Sequence, residues 1–293
     1  MQHEIDVDGR VRTYTLVEPS SADGPRDLVL VFHGSKQDGS GHRRFTGGAF
    51  DLLATRDGAV VAYLDGYRGN WNDARHESSF PARRESIDDV AFTRAVIDRL
   101  TATHAVDRRR VFAVGYSNGG QMVMRLMHEE PVAIAGAAVV AATLPDPGGL
   151  VLSSPAPATP MPVLLIHGTN DPVVPYAGGM MARWARAAFQ VGGTALSAPQ
   201  TAAYFAGRNQ IEAVPASARV ATSSGARSRT WVERTEYQQA DHPSVVLYTV
   251  HGGGHTVPGP TRAPRLLGRT SSDISTADLV RGVLGITAPT TGE

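Results

Sequence analysis

Short apolar runs recur along the chain, and most of them end in a glycine or a polar cluster. Valine, leucine and isoleucine in these runs do not alternate with polar residues, which is typical of strands buried on both faces of a mainly parallel sheet. The runs are DLVLVFHG (27–34), AVVAYLDG (59–66), RVFAVGYS (110–117), AGAAVVAA (135–142), MPVLLIHG (161–168) and SVVLYTVHG (244–252). The opening IDVDGRVRTYTLV alternates around Asp8-Gly9 instead, which predicts an edge hairpin.

Segments with helical periodicity lie between these runs. Predicted helices cover 86–105, 118–130, 197–210 and 275–285, and the first carries an apolar stripe through Val90, Val96 and Leu100. Two further segments, 146–161 and 212–230, are predicted to be irregular, the first a surface loop and the second a mobile excursion. Strands that alternate with helices predict one α/β domain over 1–293, with a doubly wound sheet and its functional residues at the carboxyl ends of the strands.

Composition excludes several classes of function. The 293 residues have a formal net charge of zero, which gives no electrostatic footprint for nucleic acid or an anionic membrane. The absence of cysteine excludes disulfides, thiolate nucleophiles and cysteine-ligated metal clusters. No apolar run approaches the about 18 residues of a membrane span, and the N-terminus lacks a signal-peptide pattern. We therefore expect a cytoplasmic protein, with a secreted form that has lost its signal as the alternative.

The sequence Gly115-Tyr116-Ser117-Asn118-Gly119 lies between a predicted buried strand and a predicted helix. A G-x-S-x-G pentapeptide at a sharp strand-to-helix turn exposes the serine oxygen at the start of the helix, although an ordinary glycine-rich turn would look similar. Ser117 is therefore the predicted nucleophile. This geometry uses the backbone N–H of the next residue, Asn118, as an oxyanion donor, and the second donor should be Ser35 in the FHGSKQDG loop. His33, at the end of that strand, is expected to orient the loop.

A serine nucleophile needs a histidine as its base and a carboxylate that fixes the histidine tautomer. In this type of fold the three residues follow one another in the order serine, acid, histidine. Asp171 follows the strand of LLIHGTNDPVVPY and is the predicted acid, with Asp146 and Asp241 as weaker alternatives.

The stretch HGGGHTVPG has two histidines, His251 and His255, and three readings. A zinc helix is disfavoured because each glycine costs roughly 1 kcal/mol in a helix, and the glutamate of H-E-x-x-H is missing. An oxyanion HGGG loop would have to precede the nucleophile. A catalytic base on a late loop remains, and we assign that role to His255, while His251 ends the strand and is expected to be buried.

Together these motifs resemble the polyhydroxybutyrate depolymerase and feruloyl esterase-like branch of the α/β-hydrolases. The resemblance runs in order through DLVLVFHG, YLDGYRGNWNDAR, DRRRVFAVGYSNGGQM, IHGTNDPVVPY and GGGHTVPG. It implies a carboxylic ester substrate, small or oligomeric, and no metal or organic cofactor. It also supports Ser117, Asp171 and His255 as a triad.

Several positions depart from that family's pattern. Ser35 stands where many members have cysteine, and Val257 stands where many have tryptophan, which implies a smaller pocket rim. Trp71 and Asn72 match a Trp-Asn pair of the family, and we expect them to wall the substrate pocket together with Tyr116 and Val257. The family's usual secretion and polymer substrates are not carried over, since this chain has no cysteine and no signal.

The predicted function is therefore hydrolysis of short-chain, hydroxyalkanoate or feruloyl-type esters through an acyl-enzyme on Ser117. An acyltransferase or a peptidase could use the same triad, and a noncatalytic binding protein on a hydrolase scaffold is the alternative from another class. That last alternative is disfavoured because a scaffold without catalysis has no need of three residues in this order.

Overall fold

In residues 1–20, 24–221 and 229–287, which the computed structural model describes, ten strands form one sheet and two more form a short two-stranded sheet. The strands are β1 (Gln2–Val7), β2 (Arg10–Val17), β3 (Arg26–Phe32), β4 (Val60–Leu64), β5 (Val106–Tyr116), β6 (Gly136–Val140), β7 (Val163–Gly168), β8 (Gly179–Met180), β9 (Thr194–Ala195), β10 (Ala216–Arg219), β11 (Trp231–Gln239) and β12 (His242–His251). The helices are α1 (Gly39–Phe45), α2 (Asp51–Thr55), α3 (Pro81–Arg84), α4 (Asp89–Thr103), α5 (Asn118–Glu129), α6 (Arg183–Phe189), α7 (Ala198–Arg208) and α8 (Thr276–Leu284).

The strand order in the large sheet is β1-β2-β4-β3-β5-β6-β7-β12-β11-β10. The six central strands, from β4 to β12 in this order, are parallel to one another. The two strands at each edge pair in the antiparallel direction. All carboxyl ends of the central strands consequently meet at one edge of the sheet, where loops from β3, β5, β7 and β12 can bring their residues together.

The core consists of two apolar layers, one on each face of the sheet. Alternate residues of β3 point to opposite layers, because successive side chains of a strand face opposite ways: Leu28 and Leu30 belong to one layer, Val29 and Val31 to the other. The first layer also contains residues of α4, α5 and α7, and the second contains residues of α2 and α8. The sheet is thus covered on both sides, as its uninterrupted apolar strands predict.

The predicted α/β-hydrolase architecture is confirmed, with the predicted edge hairpin as β1 and β2. The prediction of an irregular 212–230 segment is wrong at 216–219, which form the edge strand β10; residues 222–228 lie outside the described residues. Between 146 and 161 only a short 3₁₀ turn, Pro147–Gly149, interrupts the loop. No helix within the described ranges is both long and apolar enough to span a bilayer.

Candidate active site

Ser117 occupies the sharp turn between β5 and α5, with φ 54° and ψ −116°. A non-glycine residue rarely adopts this conformation, and such strain persists only where the surrounding structure enforces it. Two glycines make the turn sterically possible. A Cβ on Gly119 would clash with the Phe32 carbonyl oxygen, and one on Gly115 would clash with the Gly119 carbonyl oxygen. The helix therefore approaches both strands closely and holds the Ser117 oxygen clear of them.

The structure brings Ser117, His255 and Asp171 into one hydrogen-bonded chain. His255 Nε2 lies 2.9 Å from Ser117 Oγ, and His255 Nδ1 lies 2.7 Å from Asp171 Oδ2. Both distances are ordinary for strong hydrogen bonds. With the proton on Nδ1, the imidazole donates to the carboxylate and presents the Nε2 lone pair to the serine hydroxyl. This arrangement can accept a proton from Ser117.

The side chain of Asp171 is fully buried, and its carboxylate has several hydrogen-bond donors. Oδ1 accepts hydrogen bonds from the backbone N–H groups of Val173 and Val174, at 2.7 and 2.8 Å. Burial raises the pKa of Asp171, but the charges and hydrogen bonds of His255, His167 and the Val173 N–H outweigh burial, so that its pKa lies below the usual value. Asp171 is therefore ionised at neutral pH. The two alternatives lie elsewhere, because Asp146 caps the 3₁₀ turn and Asp241 lies in the turn between β11 and β12.

The glycines before His255 let the chain cross close to its neighbours. A Cβ on Gly254 would clash with the Leu267 carbonyl oxygen, to which the His255 N–H donates at 2.6 Å. Tyr116 Oη donates to the carbonyl oxygen of His255 at 2.8 Å and fixes the loop from the other side. The histidine is held by its backbone, which leaves both ring nitrogens to Ser117 and Asp171.

His251 has a different environment, and its predicted burial is wrong. Its side chain is 29% exposed at the end of β12. The ring stacks on Trp231 with a centroid distance of 3.6 Å and an interplanar angle of 4°, and Nε2 lies 2.9 Å from Glu233 Oε2. β11, which the sequence did not predict, supplies both partners. His251 is therefore part of the sheet surface.

The two predicted oxyanion residues lie beside Ser117. Ser35 and Asn118 both line the cavity of about 20 Å³ that contains Ser117. Asn118 begins α5, and N–H groups in the first turn of a helix have no acceptor within it. On the other side, a Cβ on Gly34 would lie 3.5 Å from Ser117 Cβ, which shows how closely the loop after β3 approaches.

Comparison with known proteins shows the family of this chain. A family model described as phospholipase/carboxylesterase matches residues 66–195. NocK of Nocardia uniformis subsp. tsuyamanensis, whose name marks it as an inferred esterase, is 36% identical over 292 residues, covering 94% of this chain and 79% of NocK. The chain belongs to the carboxylesterase family of the α/β-hydrolases. This membership makes the protein a carboxylic ester hydrolase.

One further protein is similar in sequence and another in fold. Feruloyl esterase B of Piromyces equi is 34% identical to the carboxylesterase over 165 residues, which are 55% of this chain and 30% of that enzyme. The acetyl xylan esterase of Aspergillus awamori has the same fold, with a TM-score of 0.57 at 16% identity, over 88% of this chain and 95% of that one.

A hydrogen-bond network behind the two predicted oxyanion residues supports Asn118. Asn118 Oδ1 accepts from the Trp71 backbone N–H at 2.9 Å, and its Nδ2 donates to Asp73 Oδ2 at 2.5 Å. Trp71 Nε1 donates to the His33 carbonyl oxygen at 2.9 Å. His33 Nε2 accepts from the Gly66 N–H at 2.8 Å, so Nδ1 carries the proton and donates to the Gly34 carbonyl oxygen at 2.7 Å. His33 therefore joins the two loops on either side of the cavity.

The expectation that four residues wall the substrate pocket is wrong. Trp71 is fully buried and packs edge-on against Phe32, while Asn72 donates through its amide to the Ile87 carbonyl oxygen. Tyr116 lies under the His255 loop, and Val257 is part of the apolar layer around α8. These side chains pack in the interior beneath the site, because their segments lie between the core and the loops that form the pocket.

Other residues form the walls beside Ser117. The small cavity is bounded by apolar side chains that the sequence analysis did not single out: Phe80, Ala142, Val173, Val174, Met181, Phe189 and Val191. A second cavity of about 310 Å³ adjoins it and shares Arg75, Gln121, Val174 and Met181 with it. Sequence patterns could not reveal these walls, since the wall residues come from three regions: the loop before α3, the loop after β6, and the loops and short elements between β7 and α7.

The sequence did not predict His167, which contacts the Asp171 carboxylate, or Asp73, which binds the Asn118 amide. His167 Nε2 lies 3.4 Å from Asp171 Oδ2 and 2.9 Å from the Val174 carbonyl oxygen, so it contacts the acid and its loop. The available signal was the spacing in HGTND, which places the histidine four residues before the aspartate. No group of three or more histidines and carboxylates that could hold a metal ion is present in the described part of the chain.

Proposed function

We propose that the carboxylesterase works through a Ser117–His255–Asp171 triad and an acyl-enzyme intermediate. The observation that carries the proposal is the continuous chain of two hydrogen bonds from Ser117 Oγ through His255 to the ionised Asp171. A hydroxyl is a weak nucleophile until a base takes its proton, and this chain supplies that base in the correct tautomer.

The reaction then proceeds in two similar halves. Ser117 Oγ attacks the ester carbonyl carbon while its proton passes to His255 Nε2. The backbone N–H groups of Ser35 and Asn118 stabilise the oxyanion, and Asp171 stabilises the imidazolium. His255 then gives the proton to the leaving alcohol, and the acyl group remains on Ser117. Water attacks the acyl-enzyme with the help of His255, and the acid and free serine are released.

The apolar walls beside Ser117 support esters with a short aliphatic or an aromatic part. Phe80, Phe189 and Met181 offer flat and polarisable surfaces for such a group. Feruloyl esterase B of Piromyces equi is named for an aromatic acyl group, which also supports a feruloyl-type ester for this chain. The same apolar walls also favour the acyl parts of short-chain and hydroxyalkanoate esters.

A hydrolysis panel tests the proposal. It contains p-nitrophenyl esters of two to eight carbons, methyl ferulate and hydroxybutyrate oligomers. The enzyme should hydrolyse at least one class, and Ser117→Ala should lower kcat by at least about a thousandfold, because the chain has no cysteine that could replace the serine. Ser217→Ala, on the exposed strand β10, is the matched control and should be unchanged. Full activity of Ser117→Ala would refute the nucleophile.

A further inference from the structure

The cavity of about 310 Å³ next to the Ser117 cavity has a polar lining that the proposed chemistry does not use. Arg75 and Gln121 line both cavities, so the two cavities adjoin at these side chains. A volume of this size accommodates a small ligand group. Part of an ester bound at Ser117 would therefore extend into it.

Two carboxylates lie at the same stretch of the cavity rim. The Gly192 N–H donates to the Glu77 carbonyl oxygen at 2.7 Å, and the Asp146 N–H donates to the Thr194 carbonyl oxygen at 3.1 Å. The two carboxylate side chains contact the same segment. A Cβ on Gly192 would clash with Glu77 Oε2, and Thr194 Oγ1 donates a hydrogen bond to Asp146 Oδ2. Glu77 and Asp146 therefore concentrate negative charge at residues 192–194.

This negative charge is not compensated by a basic side chain. In the described ranges neither Glu77 nor Asp146 forms an ion pair. Apart from His76, the described lining has one basic side chain, Arg75. Arg75 is already paired with the buried Asp73 at 2.6 Å. Asp73 offsets much of the Arg75 charge, and two carboxylates of the lining, Glu77 and Asp146, outnumber that single guanidinium. The cavity consequently has a negative potential, which attracts cations and disfavours anionic esters.

The interior of the cavity offers hydrogen-bond acceptors. Thr143 is fully buried and lines the cavity, and its Oγ1 has no hydrogen-bond partner among the described residues. Gln121 Nε2 donates to the Thr143 carbonyl oxygen at 2.8 Å, which leaves its amide oxygen as an acceptor. A buried hydroxyl without a partner costs free energy unless a ligand supplies one. A ligand group with several N–H donors and a positive charge would supply hydrogen bonds to these acceptors and would be attracted by the two carboxylates.

We propose that this cavity is a subsite for a protonated amine on the substrate, so that the carboxylesterase prefers esters with an ammonium group to their neutral isosteres. This inference rests on the proposed function, since the amine is positioned relative to an ester carbonyl at Ser117. The ammonium group can belong to the alcohol part or to the acyl part of the ester. Either type of ester places an ammonium group in the cavity.

Matched ester pairs test the preference at low ionic strength and pH 8, where an ordinary imidazole is neutral. The alcohol arm compares 6-aminohexyl butyrate with heptyl butyrate, and the acyl arm compares p-nitrophenyl 6-aminohexanoate with p-nitrophenyl heptanoate. In one arm, kcat/KM should be about two- to fivefold higher for the ammonium ester, as expected for partly exposed charge pairs. Glu77→Gln should abolish most of that ratio, while Glu4→Gln, on edge strand β1, should keep it.

The outcomes separate the inference from the proposed function. Ser117-dependent hydrolysis of the neutral esters without any ammonium preference, or an unchanged ratio in Glu77→Gln, would overturn the amine subsite and leave the triad standing. A second readout needs no turnover: saturation-transfer NMR should detect hexylammonium binding to Ser117→Ala, weakened in Ser117→Ala/Glu77→Gln. Equal binding by these two variants would also overturn the inference.

Discussion

His251 and His255 are four residues apart, and the partners of their side chains differ completely. His255 contacts Ser117 and Asp171, and its backbone is fixed by Leu267 and Tyr116. His251 contacts only sheet residues, through its stack on Trp231 and its hydrogen bond to Glu233. Loss of His251 should therefore cost about 1 kcal/mol of folding free energy and little activity, whereas loss of His255 should remove the base.

Individual site residues were predictable where chain order and strand ends decide them. Ser117, Asp171 and His255 follow buried strands whose carboxyl ends must meet, so their proximity follows from the fold class. Trp71 and Val257 were misplaced because the sequence does not show which side of a loop faces the pocket. The cavity of about 310 Å³ was not predictable for the same reason, since Glu77 comes from the loop before α3 whereas Thr143 and Asp146 come from the loop after β6.

At the scale of elements, the junction of β5 and α5 depends on two glycines. Gly119→Ala should force α5 away from β3, because its Cβ would meet the Phe32 carbonyl oxygen. We expect a loss of about 1–3 kcal/mol in the free energy of unfolding, and a lower kcat because Ser117 moves with the helix. Urea unfolding and p-nitrophenyl ester hydrolysis measure the two effects.

Gly207→Ala is the matched control for that substitution. Gly207 lies in α7 with no atom within 4 Å of an added Cβ, so alanine should raise stability by about 0.5–1 kcal/mol through helix propensity. Equal effects of the two substitutions would show that close packing at Gly119 is not needed.

Whether a strand or helix was predictable from the sequence depended on its burial and length. The parallel strands were predictable because both of their faces are covered, which leaves continuous apolar runs in the sequence. β10 and β11 escaped prediction because their side chains are mostly exposed or half-buried and carry no such run. β8, β9 and α6, which border the cavities, are too short for a periodic signal.

At the scale of the whole molecule, buried histidines link stability to pH. Burial lowers the pKa of His42 to about 3, and it is the main cause of the lowered pKa values of His33 and His167. An unfolded histidine titrates near pH 6.5, so below that pH the unfolded chain binds more protons than the folded one. Stability should therefore fall as pH decreases from about 6.5, by about 1.4 kcal/mol per pH unit for each histidine that stays neutral.

Urea unfolding at pH 7.5, 6.0 and 5.0 measures this dependence. His42→Asn should be less stable at pH 7.5, because it loses its ring contacts with Phe45 and Tyr116, but its stability should decline less steeply with falling pH. A decline as steep as that of the unsubstituted protein would show that His42 takes up its proton in the folded state as easily as in the unfolded one.

The central claim is that Ser117 and His255 act as one catalytic unit. Its most direct test is kcat for Ser117→Ala, His255→Ala and the double variant on one p-nitrophenyl ester, with His251→Ala as control. Each single variant should lose at least about a thousandfold in kcat, the double variant should lose little more, and His251→Ala should stay active. Multiplying losses in the double variant, or an inactive His251→Ala beside an active His255→Ala, would contradict it.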